Sequence, residues 1–307
     1  MSDLDLLVVG DCNPDLVLSG GDLVPRFSQV EQLVDEADLV IGGSASILAC
    51  GAARLGLRVA VASVVGDDVF GRFMREMLAA RGVDVSPIAI SETTPTGLSV
   101  ILARGDDRAI LTRLGTIDAV AAEHVPRTLI ARARHVHVSS YYLLHHLIPD
   151  VPRLLATAHE LGATTSLDTN WDPSERWQLD GVLEHTDVLL PNASEALHIA
   201  HASSLTIATR HLRQRVGTVA IKLGAEGAEA YRGDEHAHAR APLVEVVDAV
   251  GAGDSFGAGF LAGLLRGAGL QEALALAVAC GSLSTRAAGG TTAQPTLDEA
   301  RAYASGP

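Results

Sequence analysis

Apolar positions along the chain follow two patterns, short runs of strand length and longer stretches with helical spacing. The strand-like runs are residues 6–9, 58–65, 135–139, 164–168, 188–190 and 219–223. Residues 68–81 predict a helix, because their apolar side chains recur every three or four positions and Gly82 follows as a stop. Strands that alternate with helices are typical of βαβ units. The predicted fold class is therefore α/β, with a doubly wound, mainly parallel sheet flanked by helices.

Two segments, residues 11–41 and 93–118, interrupt this alternation with short period-two strands and turn residues. The turn signals are Ser19-Gly20-Gly21-Asp22 and Arg104-Gly105-Asp106-Asp107. We expect both segments to leave the main sheet as antiparallel strands and to form a small β-sheet lid on a single domain of residues 1–307. The alternation leaves one apolar face of the lid to be covered, which a second subunit would do in a symmetric homodimer.

The composition limits the partners of the protein. Hydrophobic residues make up 48% of the 307 positions and aromatic residues only 4%, which favours a core of Ala, Val, Leu and Ile. A net charge of −14 at pH 7 disfavours nucleic acid or an anionic membrane as a partner. No apolar run approaches the roughly 20 residues that a membrane span requires. The acidic N-terminus and three widely spaced cysteines lead us to expect a reducing, cytoplasmic location.

The stretch D-A-V-G-A-G-D-S-F-G-A-G at residues 248–259 combines glycines with two aspartates. Residues 244–247 predict a strand and residues 255–266 a helix, which places Gly251-Ala252-Gly253 at the N-terminus of that helix. Unpaired backbone N–H groups and the helix dipole attract anions there. Asp254 in the first turn would also complement the dipole without any further role, so spacing alone leaves both interpretations open.

Two common phosphate-binding motifs do not fit the chain. The glycine spacing G-x-G-x-x-x-G differs from the dinucleotide-binding G-x-G-x-x-G, and the acid about 20 residues later, Glu272, lies in a helical segment. The only lysine, Lys222, is followed by leucine, so the chain contains no G-x-x-x-x-G-K-[ST] loop. These observations disfavour a dinucleotide-binding fold and exclude a P-loop NTPase.

The same stretch resembles the C-terminal signature of the ribokinase-like, or PfkB, carbohydrate kinases, D-T-x-G-A-G-D-x-F followed by small residues. Further family elements match in order at Gly10-Asp11-Cys12-Asn13-Pro14-Asp15, Gly42-Gly43, Val65-Gly66-Asp67-Asp68, Pro191-Asn192-Ala193-Ser194-Glu195 and Lys222-Leu223-Gly224-Ala225-Glu226-Gly227. Together the matches extend over residues 6–295. The resemblance implies an ATP-dependent kinase that phosphorylates a primary hydroxyl of a sugar or sugar-like substrate.

The resemblance also implies roles for individual residues. Asp254 would be the general base that takes the proton from the substrate hydroxyl. The backbone N–H groups of Gly251, Ala252 and Gly253 would form an anion hole for the transferred phosphoryl group. The implied substrate-binding residues are Asp15, Asn13, Gly42, Gly43 and Ile47. The implied nucleotide-binding residues are Asn192, Lys222, Gly224, Gly227, Asp168 and Asn170.

ATP and Mg²⁺ are the cofactors that the resemblance implies, with K⁺ as a further candidate. Glu195 would bind Mg²⁺ through water, and the backbone carbonyls of Asp248, Val250 and Gly290 would bind the monovalent cation. The pattern Asn192-x-x-Glu195 is also typical of a capped helix N-terminus, and the two interpretations are compatible. The twelve histidines have no Cys or Glu partner at a zinc spacing, so we expect no zinc site.

Departures from the family pattern leave the acceptor open. Ile47 stands where many members have an asparagine, and no arginine follows Asn170 as it does in some sugar-acid kinases. We expect the Ile47 side chain to face the sugar and to favour a C–H face over a hydroxyl. A nucleoside kinase of the same fold is one alternative, because Gly42-Gly43-Ser44-Ala45 also resembles that branch. A non-catalytic sugar-binding regulator is another, although such a protein would not need Asp254.

Overall fold

The computed structural model describes residues 3–21, 23–104, 107–179 and 181–304. The strands of this part of the chain are β1 (Leu6–Val9), β2 (Pro14–Ser19), β3 (Glu36–Ile41), β4 (Val59–Gly66), β5 (Ile88–Ser91), β6 (Leu98–Arg104), β7 (Asp107–Arg113), β8 (His135–Ser139), β9 (Thr164–Asp168), β10 (Val188–Leu189), β11 (Thr218–Lys222), β12 (Ala228–Arg232) and β13 (Glu235–Ala239). Its α-helices are α1 (Ser44–Arg54), α2 (Val69–Ala80), α3 (Arg127–Ile130), α4 (Val151–Glu160), α5 (Ala193–Ile199), α6 (Leu205–Arg213), α7 (Ala252–Leu265), α8 (Leu270–Ser284) and α9 (Leu297–Ala304).

Nine strands form the main sheet, in the order β13-β12-β11-β10-β9-β8-β1-β4-β5. The strands from β11 to β5 in this order are parallel, and β12 and β13 complete one edge as an antiparallel pair. Side chains of β1 alternate between two helical layers. Leu6 and Val8 pack with α1, α7 and α8, while Leu7 and Val9 pack with α4, α5 and α6. The predicted doubly wound α/β fold is therefore confirmed.

A second sheet of four strands, in the order β3-β2-β6-β7, lies outside the main sheet and forms the lid. Its outer pairs are antiparallel, but the central pair, β2 and β6, is parallel. The predicted small sheet is confirmed, and the expectation of purely antiparallel strands is wrong. The reason is that β2 and β6 follow the parallel strands β1 and β5, so both enter the lid in the same direction. Of the expected turn residues, Asp22, Gly105 and Asp106 lie outside the described residues.

The two faces of the lid sheet differ in polarity. On the inner face, Val17 and Ile101 pack against Val250, immediately before Gly251 of the glycine-rich signature. Asp15 and Ser99 are paired on the same face. The outer face carries a cross-strand row of apolar side chains, Leu39, Leu16, Val100 and Leu111. The lid therefore directs polar groups inward and an apolar row outward.

Most predicted element bounds are correct to within a residue. Strands β1, β8 and β9 match the prediction, while β4 and β11 are shifted by one position and β10 is one residue shorter. Helix α2 begins after Asp68, because the Asp68 side chain accepts a hydrogen bond from the Gly71 N–H (2.8 Å) and caps the helix. Helix α7 begins at Ala252, three residues before the predicted start, because Gly251 already serves as its N-cap.

Residues 244–247 do not form a strand, and that prediction is wrong. They follow β13, which is the edge of the main sheet, and they pair with no strand of the described chain. Val246 and Val247 are well exposed, at 62% and 59%. The backbone N–H of Val247 donates instead to the Thr285 carbonyl (2.8 Å), beyond the end of α8. The β-branched composition of this run predicts a strand, but the run bonds to the end of α8 and does not pair with the free edge of β13.

Candidate active site

The carboxyl ends of the parallel strands and the N-termini of α1 and α7 meet at one edge of the main sheet. Asp168 ends β9, Lys222 ends β11, and Asp11 follows β1. Helix α1 begins after Gly43 and α7 after Gly251. Open α/β sheets bind their ligands at this edge. The sequence-predicted residues from separate parts of the chain are brought together here by the strand order.

The turn that precedes α7 requires glycine. Gly251 has a left-handed backbone (φ 71°), and a Cβ on it would lie 2.7 Å from the Gly290 Cα and 2.9 Å from the Ile47 Cγ2. Ile47 is 3% exposed and packs beneath this turn, against Gly251 and Gly290. The structure thus corrects the expected orientation of Ile47, whose side chain belongs to the core under the turn. A direct contact between Ile47 and substrate stays a prediction.

Asp254 lies in the first turn of α7, where no side chain caps the helix. The first intrahelical hydrogen bond runs from the Ser255 N–H to the Gly251 carbonyl (2.9 Å), which leaves the N–H groups of Gly253 and Asp254 without a partner in the helix. The Asp254 side chain is buried, with 8% exposed. This burial, together with the negative charge of Asp168, raises the pKa of Asp254 to about 8. The carboxyl group therefore titrates close to neutral pH.

Lys222 and Asp168 form a buried ion pair beside Asp254. The Lys222 Nζ lies 2.6 Å from the Asp168 Oδ2, and their side chains are 15% and 2% exposed. Burial opposes the charge on Lys222, but the carboxylates of Asp168 and Glu195 outweigh burial and raise the pKa of Lys222. The edge of the sheet thus holds an ammonium group whose charge is stabilised by the carboxyl groups around it.

The Gly42-Gly43 turn brings Asn13 and Asp15 close to the start of α1. A Cβ on Gly42 would overlap the Asp15 carboxylate, so only glycine allows this approach. The Asn13 Nδ2 contacts the Asp15 Oδ1 (3.4 Å) and the Ser99 Oγ (3.5 Å) of the lid. Asn13 and Asp15 are both buried. These two polar side chains lie where the inner face of the lid meets the main sheet.

Two residues that the sequence analysis did not select, Asp11 and Ser44, hold this edge together. Asp11 accepts hydrogen bonds from the N–H groups of Ser44 (3.1 Å) and Ala45 (2.9 Å), and so caps α1 from the end of β1. The Ser44 hydroxyl accepts from the Asn170 Nδ2 (2.7 Å) and also forms a hydrogen bond to Asp254 that lowers the pKa of that group. Asp11 belongs to the family-like stretch at residues 10–15, so the sequence alone could have identified it as a site residue.

A cavity of about 370 Å³ opens between the Gly224–Gly227 turn, the irregular stretch 241–246 and the facing ends of α7 and α8. Its lining is mostly small and apolar, apart from Lys222 at one end and two hydroxyl side chains. The lining residues include Lys222, Gly224, Gly227, Val244, Val246, Gly253, Phe256, Val278, Ser282 and Thr285. Three residues predicted to contact nucleotide, Asp168, Asn170 and Asn192, do not line it. Asn170 lies instead between Ser44 and Ser140, on the side of Asn13 and Asp15.

Asn192 and Glu195 form the capping box that their spacing predicts. The Asn192 Oδ1 accepts from the Glu195 N–H (2.9 Å), and the Glu195 Oε2 accepts from the Asn192 N–H (2.8 Å). Burial raises the pKa of Glu195, and the charge of Lys222 opposes that rise. The Glu195 carboxylate is a hard oxygen donor of the kind that Mg²⁺ binds, and such an ion keeps most of its other ligands from water and phosphate.

The turn at Asp248–Val250 is tied to the turn at Gly289–Gly290. The Asp248 Oδ1 accepts from the Val250 N–H (2.9 Å), and its Oδ2 accepts from the Gly289 N–H (2.9 Å). The Gly290 carbonyl oxygen lies 3.0 Å from the point where a Gly251 Cβ would be. The carbonyls predicted to bind a monovalent cation therefore belong to two adjacent turns beside the start of α7.

Two further observations concern metal ions and membranes. In residues 3–21, 23–104, 107–179 and 181–304, no group of three or more His, Cys, Asp or Glu side chains is arranged to hold a metal ion by itself. None of the helices in the same part of the chain combines the length and the apolar composition that a membrane crossing requires.

Comparison with known proteins identifies relatives along nearly the whole chain. Residues 3–297 match the family model of the pfkB family carbohydrate kinases. A 2-dehydro-3-deoxygluconokinase of Bacillus subtilis is 31% identical over 281 residues, which cover 86% of each chain. A nucleoside kinase of Methanothermobacter thermautotrophicus is 30% identical over 306 residues, covering 97% of this chain and 94% of that one. A crystal structure of a putative ribokinase II from E. coli in complex with ATP and Mg²⁺ is similar, with 26% identity, a TM-score of 0.88 and 99% coverage of both chains.

Proposed function

The chain belongs to the PfkB family of carbohydrate kinases, and on that premise we propose that it transfers the γ-phosphoryl group of ATP to a primary hydroxyl of a sugar or sugar-like substrate. As a member of this family it is a phosphotransferase with an alcohol group as acceptor. The observation that carries the proposal is Asp254, a buried carboxyl group with a pKa of about 8 in the first turn of α7, beside the cavity. A general base is most effective when its pKa lies near the working pH.

The cavity of about 370 Å³ is the proposed ATP site. Its small apolar lining suits the flat faces of an adenine ring, and Gly253 and Lys222 at its inner end lie where the phosphates would reach. The N–H groups of Gly251, Ala252 and Gly253 would face the γ-phosphoryl group at the positive end of the α7 dipole. The similar E. coli protein that binds ATP and Mg²⁺ supports this assignment of the donor.

Mg²⁺ would be held by Glu195 through water and by the phosphates themselves. When bound, it neutralises charge on the phosphate oxygens. Glu195 combines this role with capping α5, since only its Oε2 is engaged by the Asn192 N–H among the hydrogen bonds of the described residues.

The acceptor would bind between the lid and the start of α1. Asp15 would accept hydrogen bonds from its hydroxyl groups and Asn13 would donate to them, since the Gly42-Gly43 turn, which carries no side chain, brings the start of α1 close to both. Its primary hydroxyl would lie between Asp254 and the γ-phosphorus. The acceptor oxygen forms a bond to phosphorus as the bond to the β–γ bridging oxygen breaks. ADP leaves with that oxygen, and the hydroxyl proton passes to Asp254.

A nucleoside is the second candidate acceptor. The nucleoside kinase of M. thermautotrophicus matches this chain over more of its length than the 2-dehydro-3-deoxygluconokinase of B. subtilis, at nearly the same identity. A nucleoside would place its sugar against Asp15 and its base under the inner face of the lid. Both acceptors would use Asp254 and the anion hole. They would differ in the part of the molecule that lies under the lid.

A coupled assay of ATP consumption over sugars, sugar acids and nucleosides tests the proposal directly. With the best acceptor, Asp254→Asn should reduce kcat by roughly 10²–10⁴-fold, because the amide keeps the shape and cannot take the proton. The parent rate should rise with pH toward a plateau above about pH 8, since Asp254 acts only when ionised. ATP consumption by none of the acceptors would contradict the proposed function.

Glu272→Gln is a matched control for Asp254→Asn. Glu272 also lies in the first turn of a helix, α8, but it is exposed and away from the cavity lining. This variant should keep the parent rate. Asp254→Asn should itself fold, and at and above neutral pH it should unfold at higher urea, because a carboxyl pKa raised from 3.8 to about 8 on folding costs the parent stability as the pH rises through that interval. An Asp254→Asn enzyme within a few-fold of the parent would remove Asp254 from the mechanism.

A further inference from the structure

Lys222 is the only lysine in a chain whose other strongly basic side chains are all arginine. It is also largely buried, with 15% of its side chain exposed. Lysine is seldom buried unless it is paired, and burying an ion pair costs desolvation energy that the pair does not always recover. Stability alone is therefore a weak reason for burying the Lys222–Asp168 pair, and the groups that surround Lys222 indicate what else the pair does.

The Lys222 side chain runs past the start of α7. A Cβ on Gly253 would lie 3.5 Å from the Lys222 Nζ and 3.7 Å from its Cδ, so the ammonium group lies alongside the first turn of that helix. The absence of a side chain on Gly253 leaves this space open. The positive end of the helix dipole and the ammonium group thus face the same point.

The same ammonium group is the only charged side chain among the residues that line the proposed nucleotide cavity. Around it lie Asp168 at 2.6 Å and two further acids, Glu195 and Asp254, whose charges raise the pKa of Lys222. Lys222 is therefore positioned between the cavity and the general base. Asp168 is the group that fixes it there, because it is almost completely buried at the end of β9.

We propose that the Lys222 ammonium group binds the oxygens of the phosphoryl group in transit, and that Asp168 is a positioning residue for Lys222. The inference rests on the proposed function and assigns Lys222 to the transferred group, beyond a general contact with nucleotide. Charge on the three oxygens of the transferred group persists throughout the reaction, and a fixed cation there stabilises it. A compact ammonium group fits between Asp168 and Gly253, whereas a planar guanidinium is larger and prefers paired acceptors.

Nucleotide binding separates this role from a general contact. Lys222→Met keeps the length of the side chain and removes the charge. With Mg²⁺ present, the variant should bind a non-hydrolysable ATP analogue about 10- to 100-fold more weakly than the parent does. This is the loss that removal of a charge-assisted hydrogen bond predicts. ADP, which has no γ-phosphoryl group, should bind within about threefold of the parent by the same reasoning. Equal weakening of both ligands, or of neither, in isothermal titration calorimetry would overturn the proposal.

Kinetics provide the second readout. Lys222→Met should lower kcat by about 10²–10³-fold while KM for the acceptor changes little, because the interaction strengthens in the transition state. The pH at which its kcat reaches half of the plateau should be higher than in the parent, since the Lys222 charge lowers the pKa of Asp254. Asp168→Asn keeps the lysine and should show a smaller loss of kcat. A variant with a lower melting temperature, an unchanged kcat and an unshifted profile would make the pair purely structural.

The single lysine also permits a test that does not depend on turnover. Reductive methylation modifies amines, so the Lys222 peptide and the α-amino group of the chain are the two sites to quantify by mass spectrometry. The ATP analogue should protect Lys222 and ADP should not, with the α-amino group unaffected by either. Protection by both nucleotides alike would contradict the proposal. A parent that phosphorylates none of the acceptors would count against the proposed function. The binding and labelling results test the role of Lys222 independently of turnover.

Discussion

His135 and His137 lie two residues apart on β8 and contact the same hydroxyl group, the Ser166 Oγ of β9, at 2.7 Å each. Both rings are buried. Burial lowers the pKa of each ring to about 3, assisted at His137 by the charge of Lys222. The two rings are therefore neutral at pH 7 and act as hydrogen-bonding groups between β8 and β9. The role of the two histidines is therefore structural.

The histidine pair should make stability depend on pH below neutrality. The folded pKa lies below the unfolded value of 6.5, so the unfolded chain binds the extra protons. The free energy of unfolding should therefore fall as the pH drops from 6.5 toward 3, by up to about 1.4 kcal/mol per pH unit for each ring. Urea denaturation at pH 7.5 and at pH 5.5 measures this loss.

The matching variants isolate the effect. His135→Gln and His137→Gln each remove one titrating ring and should each flatten the dependence on pH. His238→Gln, at an exposed position on β13, should retain the parent dependence. If the two buried variants lose as much stability on acidification as the parent does, the neutral, buried histidines are not its source.

At the scale of elements, the site is made where short turns from separate helices meet. Gly43 before α1 and Gly251 before α7 both have positive φ, and each starts a helix without a side-chain cap of its own. The α1 turn is held by Asp11 from β1. The turn before α7 is held by Asp248, which links it to Gly289. The positions of the two helix N-termini therefore depend on carboxylates outside the helices.

A monovalent cation should strengthen the link between the turn before α7 and the turn at Gly289. We expect K⁺ to bind the carbonyls of Asp248, Val250 and Gly290 and to order the backbone of the anion hole, so the rate should rise severalfold when K⁺ is present. Replacing K⁺ by tetramethylammonium at constant ionic strength measures the effect. Li⁺, which is smaller than K⁺, serves as a control for nonspecific salt. Equal rates in K⁺ and tetramethylammonium would rule out the cation site.

At the scale of the whole molecule, the lid extends from the main sheet with an apolar row on its outer face. Leu39 and Leu111, at the two edges of the row, are 38% and 62% exposed. Phe27 and Leu33, in the connection between β2 and β3, are 90% and 82% exposed. Apolar side chains that cluster on one exposed face favour an intermolecular contact.

A second copy of the chain should cover this face and give a dimer with a symmetric lid-to-lid contact. Leu111→Asp should convert the dimer to a monomer, because it places a charge within the apolar contact. Light scattering coupled to size-exclusion chromatography measures the mass of each species. Tyr303→Asp changes a comparably exposed side chain on α9 and should leave the dimer intact. A parent protein that is monomeric at every concentration would contradict the dimer.

The amino-acid sequence by itself determined the features that depend on neighbouring residues. Apolar runs defined β8 and β9 to the residue, and the spacing of Asn192 and Glu195 predicted their capping box. The signature placed Gly251-Ala252-Gly253 at the N-terminus of a helix, and α7 begins there, although three residues before the predicted start. These features are local because periodicity, capping and turn dihedrals involve residues within about one turn of each other.

Only the tertiary structure decided which distant residues meet. Strand order places Lys222 against Asp168 across 54 positions, and Asn170 against Ser44 across 126. The β-branched residues 244–247 do not extend the sheet beyond β13; Val247 bonds to Thr285, and Val244 and Val246 line the cavity. The physical reason is that a side chain's burial, charge partners and pKa depend on packing between elements, which no local pattern contains.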